Sequence, residues 1–160
     1  MDDFIHDGLS LSVASNFCKL YQVSSGEETI AIFSLTFDAL HLDLEDKEDL
    51  QAQDRIILNP HYEETFWSKR HYPALEISYL AVREDLRGSG IGAFLVEEII
   101  QLAGRQDLAG CQFVTVEAMT HSSTDRDYTA VGFYSKMGFV PCEYPNPSKD
   151  TLRMFRPLYY

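Results

Sequence analysis

The densest group of residues suited to chemistry is Arg87-Gly88-Ser89-Gly90-Ile91-Gly92, which follows an apolar run and precedes an amphipathic one. Three glycines at alternate positions let backbone N–H groups crowd together with no Cβ in the way. The helix expected to follow begins with N–H groups that lack internal partners and with the positive end of its dipole. Strand, glycine turn and helix N-terminus together form a cradle for a pyrophosphate. Two familiar phosphate loops are excluded. A Walker A loop ends in Gly-Lys-Ser/Thr, and this run has no Lys; a dinucleotide fingerprint needs G-x-G-x-x-G, whereas the spacing here is G-x-G-x-G. Taken alone, the run also fits a glycine-rich turn that holds no ligand.

Upstream, Glu76 interrupts the otherwise apolar Leu75-Glu76-Ile77-Ser78-Tyr79-Leu80. A carboxylate is unusual inside such a strand, and the two-residue period puts it on one face with Ser78 and Leu80. An unpaired buried carboxylate is costly, so Glu76 must be partnered, protonated or kept wet by a cleft, and burial raises its pKa. Two readings stay open: a reactive carboxylate, or half of a structural ion pair. His121 stands alone in a loop, and His41 and His71 have no partner pattern. Cys18, Cys111 and Cys142 show neither CxxC spacing nor a secreted disulfide pattern, and Cys111 fits a small buried hydrophobe. No cluster has metal-ligand spacing, so no metal is expected.

These groups need elements to hold them. Leu9, Val13, Phe17 and Leu20 predict a short helix over Leu9 to Tyr21, closed by a turn at Ser24-Ser25-Gly26. Thr29 to Leu40 is rich in β-formers and predicts a strand. The acidic stretch Leu42 to Arg55 fits a solvated helix face or mobile loop. Pro73 to Val82 predicts a central strand buried on both faces. After the glycines, Ile91, Phe94, Leu95, Ile99, Leu102 and Ala103 form an apolar helical stripe. Cys111 to Ala118 predicts another buried strand. Ser123, Thr124 and Asp125 are N-cap candidates, Thr124 with Asp127 resembling a capping box, for a helix carrying Ala130, Phe133, Tyr134 and Met137 and ending at Gly138. A short strand at Phe139-Val140, a turn at Pro145-Asn146-Pro147 and a strand over Leu152 to Arg156 complete a mixed α/β sheet.

The chain has 160 residues, enough for a single domain spanning 1–160. It has no apolar run long enough to cross a membrane and no basic, apolar leader at its start, so a cytoplasmic location is expected and no membrane partner. Its 13 Lys and Arg against 25 Asp and Glu leave a net charge of −12. Nucleic-acid binding draws its affinity from cations on phosphates. The balance therefore disfavours nucleic acid and favours cationic or amine-bearing partners.

Val82 to Gly92 resembles motif A of the GNAT superfamily of N-acetyltransferases, Arg/Gln-x-x-Gly-x-Gly/Ala, with Arg87, Gly90 and Gly92 in its three places. Downstream, Ala130-Val131-Gly132-Phe133-Tyr134-Ser135-Lys136-Met137-Gly138-Phe139 resembles that family's A-x-x-F-Y-x-x-x-G-F segment. The resemblance covers about residues 72 to 157. It implies a mixed, mostly antiparallel central sheet flanked by helices and splayed at the cofactor site, with acetyl-CoA as donor. By the same resemblance, the backbone of Leu80, Ala81 and Val82 faces the pantetheine arm. Arg87, Gly88, Ser89, Gly90, Ile91 and Gly92 hold the pyrophosphate, and Phe133 and Tyr134 lie near the thiol. Tyr134 is then the group that protonates the departing thiolate, although an aromatic at that helix position also serves as core. Glu76 matches the place of a glutamate that some relatives use as base, directly or through water. One departure is that many relatives carry an Asn after the following strand, where this chain has Glu117-Ala118-Met119-Thr120-His121-Ser122-Ser123.

The implied activity is direct transfer of an acetyl group to a primary amine in a ternary complex. No Ser-His or Cys-His nucleophile suggests an acyl-enzyme. The acceptor expected is a small-molecule or peptide amine, and a homodimer is left open. There is also likeness to the subgroup containing tRNA-acetylating toxins, for which aminoacyl-tRNA would be the acceptor. A non-catalytic CoA-binding or interaction module is the rival of another class.

Overall fold

The structure is a computed structural model that describes residues 8–121, 129–142 and 150–158. Its frame is a six-stranded sheet in the order β1-β2-β3-β4-β6-β5. The strands are β1 (Lys19–Ser25), β2 (Glu28–His41), β3 (His71–Val82), β4 (Phe113–Met119), β5 (Val140–Pro141) and β6 (Thr151–Pro157). All neighbours are antiparallel except β3 and β4, which pair in parallel. A parallel pair needs a crossover, here α4 (Ile91–Arg105).

Helices cover both faces. On one, Leu95, Val96, Ile99, Ile100 and Ala103 of α4 pack with Ile77, Val114, Val116 and Met154 of the sheet, joined by Tyr134 and Phe139 from and just after α5 (Ala130–Lys136). On the other, α2 (Leu44–Ala52) and α3 (Pro60–Ser68) bury Leu50 and Phe66 against Leu40, Tyr72, Ala74, Phe113 and Phe155. Local chemistry sets the helix starts. Asp43 and Asp46 form a reciprocal capping box on α2, and Asn59 caps α3 with Pro60 in its first turn.

Several sequence expectations change. The helix predicted over Leu9 to Tyr21 is only α1 (Ser10–Ala14). Asn16 turns to φ 56°, and from Lys19 the chain becomes an edge strand, with Tyr21 stacked on Phe33 at 4.9 Å. The acidic stretch is a capped helix that buries Asp46 and Lys47, not only a solvated face. On α4 the buried stripe includes Val96 and Ile100, whereas Phe94 and Leu102 are 63% and 58% exposed. Strand β3 is half-buried beyond Ile77 instead of enclosed on both faces. The cap of α5 is Thr129, whose hydroxyl accepts the Gly132 N–H. Cys111 is only partly buried. The N-cap candidates Ser123, Thr124 and Asp125 and the Pro145-Asn146-Pro147 turn lie outside the described residues.

Candidate active site

Two features of β3 build the site. Its parallel pairing with β4 runs only from Ala74↔Phe113 to Ile77↔Val116, although β3 continues to Val82 and β4 to Met119. Beyond Ile77 the two strands therefore part, and Leu80, Ala81 and Val82 have a strand partner only in β2. The second feature is a register shift against β2: Ser34 faces Tyr79 and Leu35 faces Ile77, leaving Ser78 as the extra residue of a bulge. An extra residue flips the side-chain alternation. Leu75 and Ile77 join the α4-side core, and beyond the bulge it is Leu80 and Val82 that do. Glu76 thus shares its face with Tyr79, not with Leu80 as a strict two-residue period required.

The glycine turn completes the donor side. Arg83 ends β3 by donating its N–H to Ile30 O and pairing with Glu28 and Asp85, and a single 3-10 turn (Glu84–Leu86) leads to Arg87. Gly88 and Gly90 have φ of 79° and 90°, conformations that side-chain-bearing residues rarely adopt. Gly90 is the N-cap of α4, and Phe94 N–H makes the bond to its carbonyl. The N–H groups of Ile91, Gly92 and Ala93 precede that first helical bond and point out of the helix end. Ser89 is tied down, donating both its N–H and its hydroxyl to Leu86 O. A Cβ built on Gly92 would lie 3.6 Å from Phe133 and 3.7 Å from Val82, so α5 closes against the turn and the end of β3. A backbone cradle with an open strand edge beside it fits a pyrophosphate with an extended arm.

Tyr134 is 6% exposed, with ring centroids 5.0 Å from Phe133 and 5.2 Å from Phe139. Its ring is a core element whatever its hydroxyl does.

On the opposite face, Glu76 is in register with Thr36 and Thr115. It has no hydrogen bond or ion pair among the described residues. Around it lies a network that sequence reasoning missed. Arg153 on β6 bridges Asp38 on β2 and Glu117 on β4, Thr115 donates to Asp38, and Thr151 donates to Glu117 at 3.0 Å. Burial pushes the Glu76 carboxyl above its ordinary range, the charges of Asp38 and Glu117 push the same way, and Arg153 opposes them. Alternating polar residues in β2, β4 and β6 were the available signal, but their convergence depends on the order of the strands. His121 is exposed, and Thr120 is engaged with Asp150 O. No group of three or more His, Cys, Asp or Glu able to hold a metal occurs among the described residues, and no helix among them is long and apolar enough to cross a membrane.

Solved structures similar in fold to this chain include bacterial toxins. One described as a bacterial toxin matches over 98% of this chain and 76% of its own, with TM-score 0.68 and 17% identity. AtaT complexed with acetyl-methionyl-tRNAfMet matches over 96% and 79%, with TM-score 0.62 and 18% identity. AtaTR bound with AcCoA matches over 97% and 78%, with TM-score 0.60 and 18% identity. No curated protein sequence matches the chain. The acetyltransferase (GNAT) domain family matches residues 49–141, more than half the chain, taking in β3, the glycine turn, α4, β4 and α5. With the strand splay and glycine cradle where that family's motifs fall, the chain belongs to the GNAT acetyltransferase family.

Proposed function

We propose that the protein transfers the acetyl group of acetyl-CoA directly to a primary amine, with Glu76 as general base and Tyr134 as general acid. The observation that carries this reading is the splay after Ile77. It opens a strand edge toward the glycine cradle while the unpaired Glu76 carboxylate sits one residue before the opening, on the other face. The backbone of Leu80, Ala81 and Val82 lines the arm of the donor, and Arg87 to Gly92 hold its pyrophosphate. Phe133 closes against Gly92 and Val82 beside the donor groove. An incoming ammonium must lose a proton before its lone pair attacks the thioester carbon, and a carboxylate of raised pKa accepts it, directly or through water. As the tetrahedral centre collapses, the Tyr134 hydroxyl gives a proton to the sulfur leaving group.

The acceptor is a small-molecule or peptide amine. A half-buried site with three carboxylates against one guanidinium attracts a cation. A second reading, transfer to the α-amine of an aminoacyl-tRNA, is favoured by the fold shared with AtaT, whose solved complex holds acetyl-methionyl-tRNAfMet. The chemistry is the same; the net charge of −12 weighs against the nucleic acid. Cys18, Cys111 and Cys142 form no disulfide among the described residues, which suits a reducing compartment, and the reading puts the reaction in the cytoplasm. A panel of amines, polyamines, peptides and charged tRNA, assayed for CoA release, tests it. Release with free amines that persists at high salt supports the first reading. Release only with charged tRNA, falling steeply with salt, supports the second. Absence of release with every acceptor, with donor bound, overturns both.

A further inference from the structure

A cavity of about 460 Å³ opens where β2 ends, between the start of α2 and the end of α3. It lies at the far end of β3 from the glycine turn, roughly 35 Å away along the strand, and roughly 17 Å from Glu76. It is therefore separate from the groove proposed for the donor. Lys47, Arg70 and Asp43 supply its charges, and Leu42 and Trp67 supply apolar wall.

Lys47 is 3% exposed, and its ammonium donates to Trp67 O at 3.1 Å and to Lys69 O. The same ammonium lies over the Phe66 and Tyr72 rings, 5.8 and 5.6 Å from their centroids. Arg70 is exposed; its carbonyl accepts the Leu42 N–H, and its side chain has no hydrogen bond or ion pair among the described residues. Asp43, the only carboxylate on the wall, already accepts the Asp46 N–H as the cap of α2. Two cations against one carboxylate leave the cavity with one positive charge, within a chain of net charge −12. Burial and the nearby Arg70 pull the Lys47 pKa down, and the charge of Asp43 opposes them. His41, also on the wall, shares a hydrogen bond with His71 at 3.2 Å.

We propose that this cavity binds a monoanionic carboxylate carried on an apolar body. The charge count selects a monoanion over a phosphate dianion, whose second charge would face Asp43 uncompensated. The exposed Leu44 and the half-buried Trp67 ring receive the body, and the volume is that of a small-ligand cleft.

Trp67 is the chain's only tryptophan, so intrinsic fluorescence reads the cavity directly. The protein is titrated with cyclohexanecarboxylate and with the neutral cyclohexanecarboxamide at fixed ionic strength, and calorimetry repeats both titrations. The expected result is saturable binding of the acid and at least tenfold weaker binding of the amide. Arg70→Gln should weaken the acid at least tenfold and Arg70→Lys should restore most of the loss. Arg105→Gln, an equal change of charge on α4, should leave binding unchanged. A response that does not saturate, equal responses to acid and amide, or full affinity in Arg70→Gln overturns the proposal. None of these readouts uses acetyl-CoA, so failure here leaves the transferase reading standing.

Discussion

Glu76 differs from the carboxylates around it in having no hydrogen-bond or ion-pair partner among the described residues, and that difference can be measured twice. If it is the base, activity falls as pH drops through its raised pKa, so the acidic limb of the rate profile lies above the ordinary carboxylate range. Glu76→Gln should remove that limb along with most of the activity; a fully active variant with the limb intact would exclude Glu76. Stability carries the opposite sign. A carboxyl whose pKa is raised by folding contributes stability below its unfolded pKa, and that contribution is lost as pH rises through the folded value. Glu76→Gln should therefore be at least as stable as wild type in urea at mildly alkaline pH, with the difference closing in acid. Tyr134→Phe separates chemistry from packing. The ring contacts with Phe133 and Phe139 survive, so CoA affinity should hold while turnover drops by about 10²–10⁴. Unchanged kcat would leave Tyr134 as core alone. Glu76 stood out in the sequence because a carboxylate broke an apolar run. Asp38, Glu117 and Arg153 did not, because alternating polar residues are ordinary in half-exposed strands.

Among elements, the strand–turn–helix unit at Val82 to Arg105 was legible because glycine spacing and a helical apolar period meet there. The edge strand β1 was not: its apolar residues fit a helix until Asn16 breaks it and β2 offers a pairing surface. The same limit hid the splay, since nothing local marks where β3 and β4 part. Gly90 allows a test of the unit. A Cβ there meets nothing within 4 Å, so Gly90→Val is not crowded in the free protein; its cost is the φ of 90°, about 1–3 kcal/mol. We expect a folded but destabilised variant that no longer binds CoA by calorimetry, because re-aiming the first turn of α4 re-aims its open N–H groups. Unchanged affinity would reduce the loop to a turn.

For the whole molecule, the cradle's use of backbone makes donor binding a stability term. Acetyl-CoA at a hundredfold excess over its Kd should add about 2.7 kcal/mol and raise Tm accordingly; no shift and no heat at millimolar CoA would count against the transferase reading. The charge of −12 was visible from composition, yet composition did not show where charge gathers. Carboxylates converge around Glu76, and Lys47 and Arg70 gather with the single carboxylate of Asp43 at the other end of the same strand.

The extra residue at Ser78 makes β3 a counting device. Substitution and deletion there should have opposite outcomes. The Ser78 hydroxyl is buried with no hydrogen-bond partner among the described residues, so Ser78→Ala loses nothing and is expected to match wild type in stability. Removing the residue instead advances the downstream chain by one. Leu80 and Val82 would leave the α4-side core for the face of Glu76, and Tyr79 would take the reverse path. A deletion variant should fail to accumulate as folded protein in an expression test where Ser78→Ala succeeds, because chain length at this point, more than side-chain identity, keeps the two halves of the strand in phase.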